Sequence, residues 1–126
     1  MAIKILDCTL RDGGYYNNWF FDQSMVDKYL KAMHEASIDY VELGFRNPIT
    51  DGLGPFAYTT DEFLEGFTLP EGPKYGVMID AKDYLKDGVN LENYFIESKD
   101  SKIDLTRIAV NFDNFLICKE MTKKLK

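Results

Sequence analysis

The chain is poor in the residues that most often carry chemistry or staple a fold. It has one histidine, His34, and two cysteines, Cys8 and Cys118, in 126 residues. One histidine leaves no histidine pair for a transition metal and no ready general base near neutral pH. His34 falls inside a helical pattern beside Met33 and Glu35, where a partly exposed helix residue is expected. Two cysteines without metal-type spacing make neither a zinc motif nor a disulfide framework, so both read as reduced thiols in or near the core. No basic excess exists either. The net charge is −6, and the one dense basic run, KKLK at 123–126, ends a helical pattern where lysine complements the helix dipole. That balance argues against nucleic acid as a partner. No apolar run approaches the roughly 20 residues of a membrane span, and the amino terminus shows no signal-peptide core. A cytoplasmic location is expected, with no membrane partner.

What is present is an ordinary globular composition, 45% hydrophobic and 29% charged, in a length that suits one domain. Apolar runs at 3–8 (IKILDC), 39–45 (DYVELGF), 75–80 (YGVMID) and 106–112 (TRIAVNF) read as strands. Met25, Val26, Tyr29, Leu30 and Met33 recur at helical spacing after Asp22, a candidate N-cap. NLENYFIE (90–97) reads as a helix. So does the carboxyl end, where Phe115, Cys118, Met121 and Leu125 share a stripe after Asp113 or Asn114 as cap. Strands with little internal polarity, alternating with helices, predict a parallel sheet covered by helices. A flavodoxin-like domain is complete at about this length, whereas a (β/α)8 barrel needs roughly 250 residues, so size alone favours the former.

Residues 47–74 break the rhythm, holding all four prolines and four of the nine glycines. A short helix fits there, opened by Thr59 and Glu62 as a capping box. Its aromatics, Phe56, Tyr58, Phe63 and Phe67, leave two readings open, a mobile cover over a site or an extra packed turn.

The chemistry gathers in LDCTLRDGGYYNNW (6–19), at the end of the first strand. Asp7 and Asp12 are carboxylates of the kind that hold oxygen-loving divalent cations. Arg11 can clasp a carboxylate or steady an enolate oxygen, and the glycines admit a ligand to the backbone. The bland alternative is an Arg–Asp pair that pins the loop. Trp19 and Phe20 read as a hydrophobic anchor. Glu42, near the end of the second strand, is a candidate partner that fixes the direction of Arg11, or else a solvent-facing glutamate. Asp80 and Asn111 end the third and fourth strands and are candidates for the same mouth, or for capping and turn roles.

DCTLRDGG (7–14) resembles the D-T-T-L-R-D-G signature that opens the metal-dependent aldolase, lyase and Claisen-condensing barrels. These are the DRE-TIM metallolyases, the HMGL-like family with its pyruvate carboxyltransferase domain. With VELGFR (41–46) the likeness is greatest to the 4-hydroxy-2-oxovalerate aldolase branch, and RIAVNF adds weakly to it. The resemblance implies that residues 1–126 are the amino-terminal half of a TIM barrel, about four βα units with parallel strands. It implies Asp12 as a ligand of Mn2+ or Mg2+, Arg11 as the group stabilising the enolate, and Asp7 as a supporting residue. The implied substrate is a 4-hydroxy-2-oxo acid, cleaved to pyruvate and an aldehyde. Claisen-type acyl transfer and a non-catalytic, self-associating module are the alternatives. Two departures stand out. The histidine that follows the Arg–Asp pair in the aldolases is replaced by tyrosine, which makes Tyr15 the candidate for proton transfer. The His-x-His pair of a late barrel strand has no counterpart. Alone, the chain is therefore expected to be inactive, to bind metal weakly, and to pair with a second copy through open half-barrel edges.

Overall fold

The structure is a computed structural model and describes residues 2–126. Its frame is a four-stranded parallel sheet. Strand β1 (Leu6–Asp7) is followed by a one-turn helix, α1 (Thr9–Gly13), and by the long helix α2 (Gln23–Glu35). Then come β2 (Tyr40–Phe45), the short α3 (Asp61–Leu64), β3 (Lys74–Asp80), β4 (Leu105–Ala109) and α4 (Ile117–Leu125). The spatial order is β1-β2-β3-β4, every neighbouring pair parallel. A flavodoxin-like sheet reverses direction beside its first strand, so this sequential order rules that fold out. What remains is an α/β fold consistent with part of a parallel barrel.

Helix α2 forms where the apolar spacing predicts it. Asp22 caps it, accepting from the Met25 N–H at 3.3 Å. Val26 and Leu30 enter the main core with Val41, Leu43 and Val77 from the strands. Each such side chain contributes about 1.5–3 kcal/mol by leaving water. A smaller core joins Ile79, Ala81, Tyr84 and Leu91 to Met121 of α4.

Several elements differ from expectation. β1 pairs only at Leu6 and Asp7, because residues 3–5 run past the start of β2, and Ile3 and Ile5 are exposed. NLENYFIE makes a single 3-10 turn at Leu91–Tyr94, and Phe95 is extended. β4 stops at Ala109, so Asn111 and Phe112 lie beyond it. α4 begins at Ile117 without a side-chain cap, after a 3-10 turn at Phe112–Asn114, which leaves Phe115 exposed rather than on the buried stripe. The cap of α3 is Thr60, accepting from Phe63 N–H at 3.1 Å; Thr59 is buried and donates to the Phe56 carbonyl. The 47–74 segment is a packed turn. Phe56, Ala57 and Leu64 are buried in the main core, and Phe63 and Phe67 stack edgewise on one another and on Phe56.

Candidate active site

Strand alternation sends Val41 and Leu43 into the helix-covered core and Glu42 to the opposite face. The β2–β3 register slips between Glu42 and Gly44, a bulge of the kind that re-aims side chains beside sites. Gly44 is required there because a Cβ would strike the Phe56 carbonyl and the Thr59 hydroxyl of the packed turn.

Glu42 is 1% exposed and sits between two arginines. Arg11, in α1, donates Nε–H to Glu42 Oε1 at 2.8 Å. Arg107, in β4, donates Nε–H to Oε2 at 2.6 Å and Nη2–H to Oε1 at 2.8 Å. Burial works to raise the Glu42 pKa, yet the hydrogen bonds and charges of Arg107 and Arg11 outweigh it and hold the carboxyl below its ordinary value. Desolvation opposes the charge on Arg11, but the bond to Glu42 prevails and its pKa is raised. Arg107 is raised chiefly by the same carboxylate. The solvent-facing alternative for Glu42 does not hold. Arg11 also lies over the Phe45 ring, 5.7 Å from its centroid, and reaches Asp12 Oδ1 at 3.3 Å.

Of the two glycines after Arg11, Gly14 has a packing reason. A Cβ on Gly14 would penetrate the Trp19 indole, whose Nε1–H donates to the Arg11 carbonyl at 2.9 Å. Asn18 and Trp19 both adopt positive φ, 55° and 61°, a left-handed pair that non-glycine residues rarely hold. Asn17 supports it by accepting from Trp19 N–H at 3.1 Å. Trp19 is the buried anchor of this turn; Phe20, expected to share that role, is exposed.

Asp7 is engaged in the frame. It accepts from Thr9 N–H at 3.0 Å and from the Thr9 hydroxyl at 3.1 Å, and the Tyr29 hydroxyl donates to it. Burial and Asp7 together push the Tyr29 pKa well above its ordinary value. Tyr15 is 64% exposed, with its ring edge-on to Trp19 at 4.8 Å and to Phe45 at 6.3 Å. Asp12 carries a side chain that is 69% exposed. Among the described residues no three His, Cys, Asp or Glu side chains gather where a metal ion would sit. One carboxylate does not make a divalent site, so the donor set of this chain does not fit a bound metal by itself. Asp80 pairs with Asn47 through two bonds of 2.9 Å, and Asn111 is exposed, its side chain capping no helix.

Sequence reasoning passed over two arginines. Arg107 interrupts the apolar strand LTRIA, and a charge inside a parallel strand calls for a partner. Arg46 follows β2 directly and is 1% exposed. It donates Nε–H to the Thr59 carbonyl and Nη1–H to Asp61 Oδ2, both at 2.9 Å, and lies over Phe95. Among the described residues its Nη2 has no hydrogen-bond partner, and burial lowers its pKa.

The chain is thus a four-stranded parallel α/β fold that carries a carboxylate held by two arginines. The chain is similar to the N-terminal domain of a "putative aldolase" from Bacteroides vulgatus, known from its crystal structure. The two share 35% identity at a TM-score of 0.85, over 98% of this chain and 40% of that one. This chain thus spans well under half the length of that protein. No family model and no curated protein matches it.

Proposed function

We propose that residues 1–126 are the amino-terminal half of a barrel domain of the HMGL-like type. Its activity is that of a divalent-metal-dependent carbon–carbon lyase, cleaving a 4-hydroxy-2-oxo acid to pyruvate and an aldehyde. The observation that carries this reading is Arg11, tethered by one bond to a buried carboxylate, with N–H donors to spare. Such a guanidinium suits the carboxylate and enolate oxygens of a 2-oxo acid. In the reaction the 4-hydroxyl gives up its proton and the bond between carbons 3 and 4 breaks. The electron pair then moves onto the 2-oxo oxygen. Arg11 stabilises that charge, and a proton delivered to carbon 3 completes pyruvate. Tyr15 is the candidate for moving the hydroxyl proton. Asp12 would supply one ligand to Mn2+ or Mg2+, which would polarise the 2-oxo group, and the other ligands would come from the second half of the barrel, so this half is inactive by itself. The similarity to an aldolase N-terminal domain supports the assignment. A location in the cytoplasm accords with it, and no helix among the described residues is long and apolar enough to cross a membrane.

The test uses oxalate, a planar dianion shaped like pyruvate enolate. Titrated into the 15N-labelled chain, it is expected to shift the Arg11 Nε–H signal and the amides of residues 11–14. Arg11→Ala should weaken binding by about tenfold or more. Equal affinity in Arg11→Ala would sink the assignment.

A further inference from the structure

Arg107 lies 65 positions from Glu42 in sequence, yet it takes the larger share of that carboxylate. Its Nε and Nη2 engage both oxygens, a planar fork that fixes the carboxylate plane. Arg11 is left with one acceptor, Oε1, which it shares with Arg107 Nη2. Without the fork, Glu42 would be free to turn and offer both oxygens to Arg11. The two would then form a closed, neutral pair with the guanidinium edge spent on Glu42. With the fork, Arg11 is tethered to Glu42 through Nε alone, its guanidinium carbon 5.7 Å from the centre of the Phe45 ring, and its Nη edge is left for Asp12 and a ligand. The second guanidinium also balances the charges of Glu42 and Asp12 together, where Arg11 alone would leave the cluster net negative.

We propose that Arg107 is a positioning residue: by gripping both oxygens of Glu42 it holds Arg11 in the single-bond tether that keeps its outer edge free for an anionic oxygen. The inference rests on Arg11 being the ligand-binding group, and it adds a residue on the far side of the cluster that sets its geometry. The Arg107 side chain is 40% exposed, so its substitution is compatible with a folded chain.

The experiment compares Arg107→Met, which removes charge and fork, with Arg107→Lys, which keeps the charge alone. Two signals are read on the 126-residue chain: the Arg11 Nε–H resonance without ligand, and the affinity for oxalate. Arg107→Met is expected to move the resonance and to weaken oxalate about tenfold. Arg107→Lys should recover only part of that loss, because a point charge does not fix the carboxylate plane. An arginine that merely supports the fold would lower the melting temperature and leave both signals in place; that result overturns the proposal. Full recovery by lysine overturns the fork as its cause. If Arg107→Met fails to fold, Arg107→Lys decides between the same outcomes. If oxalate leaves the native chain unshifted, the lyase reading fails by itself, and the ligand-free resonance still decides whether Arg107 sets Arg11.

Discussion

Glu42 is a carboxylate almost without water, and burial alone would raise its pKa. Two guanidiniums reverse that and hold it below its ordinary 4.5. A depressed folded pKa means that the unfolded chain takes up the proton first. The stabilisation is therefore complete above the ordinary value and is lost as pH falls through the folded one. Glu42→Gln removes this dependence. The native chain should lose stability more steeply than Glu42→Gln below about pH 4.5, while near neutral pH the variant is the weaker by about 2–3 kcal/mol. That is less than the roughly 3–5 kcal/mol of a fully buried pair, since Arg107 is partly solvated. Urea unfolding followed by circular dichroism between about pH 3 and 7 measures both limbs, and parallel curves would remove Glu42 from acid unfolding. Arg46 is the contrasting case, fully buried with Asp61 as its ion partner. Arg46→Ala should cost about 3 kcal/mol in the same urea experiment, because it takes the donor from Asp61 Oδ2 and the Thr59 carbonyl while Ser101 and Lys102 still hold Oδ1; a loss under about 1 kcal/mol would show the pair to be of little consequence. Arg11, Asp12 and Glu42 could be picked out from sequence because two are adjacent and the third is the one charge in an apolar run, although it sits in the middle of β2 rather than at its end. Arg107 carried a signal, a charge inside an apolar strand, but neither it nor Arg46 had a partner that local spacing could name.

Among the elements, legibility followed how far local preference agreed with tertiary contact. The Asp22 cap and the Val26/Leu30 stripe agree with it, so α2 forms where the pattern puts it. LENYFIE carries a helical pattern as well, but Phe95 turns extended and places its ring 5.0 Å from the Arg46 guanidinium. One cation–aromatic contact and the neighbouring core outweigh the few tenths of a kcal/mol per residue that separate helix propensities. The turn between α1 and α2 likewise depends on a contact. Gly14 has an ordinary helical φ, and what it provides is a floor for Trp19. Gly14→Ala should push the indole out, costing about 1–3 kcal/mol through overpacking. Trp19 is the single tryptophan of the chain, so its fluorescence reports the change directly. A red-shifted emission is the expected outcome; native emission in a folded Gly14→Ala would mean that the indole does not rest there.

At the scale of the whole molecule, the alternation of strand and helix was legible in the apolar pattern and the sequential, barrel-type order in the resemblance carried by DCTLRDGG, but not in the length. Parallel strands are compatible with either a sequential or a reversed sheet, and the length of the chain pointed to the wrong one. The sequential order leaves β1 and β4 as edges, each with unpaired backbone groups. Ile3 and Ile5 are exposed beside β1, and Phe112, Phe115 and Leu116 beyond the end of β4. A groove of about 740 Å³, lined in part by Phe95, Leu105, Ile108 and Leu125, runs along β4 and α4. Two copies related by a two-fold axis along the sheet would set β1 of one against β4 of the other twice over, closing eight parallel strands. The Glu42–Arg107 face would then be enclosed rather than bare. Sedimentation velocity at about 10–100 µM, the range in which weak self-association shows, is expected to find a dimer. Ile5→Lys places a charge on the edge in the way natural sheets block edge pairing, and it should shift the equilibrium to monomer without altering the circular dichroism spectrum. A native chain that sediments as a folded monomer throughout would mean that the open edges stay solvated, and that a second copy of these residues does not close the sheet.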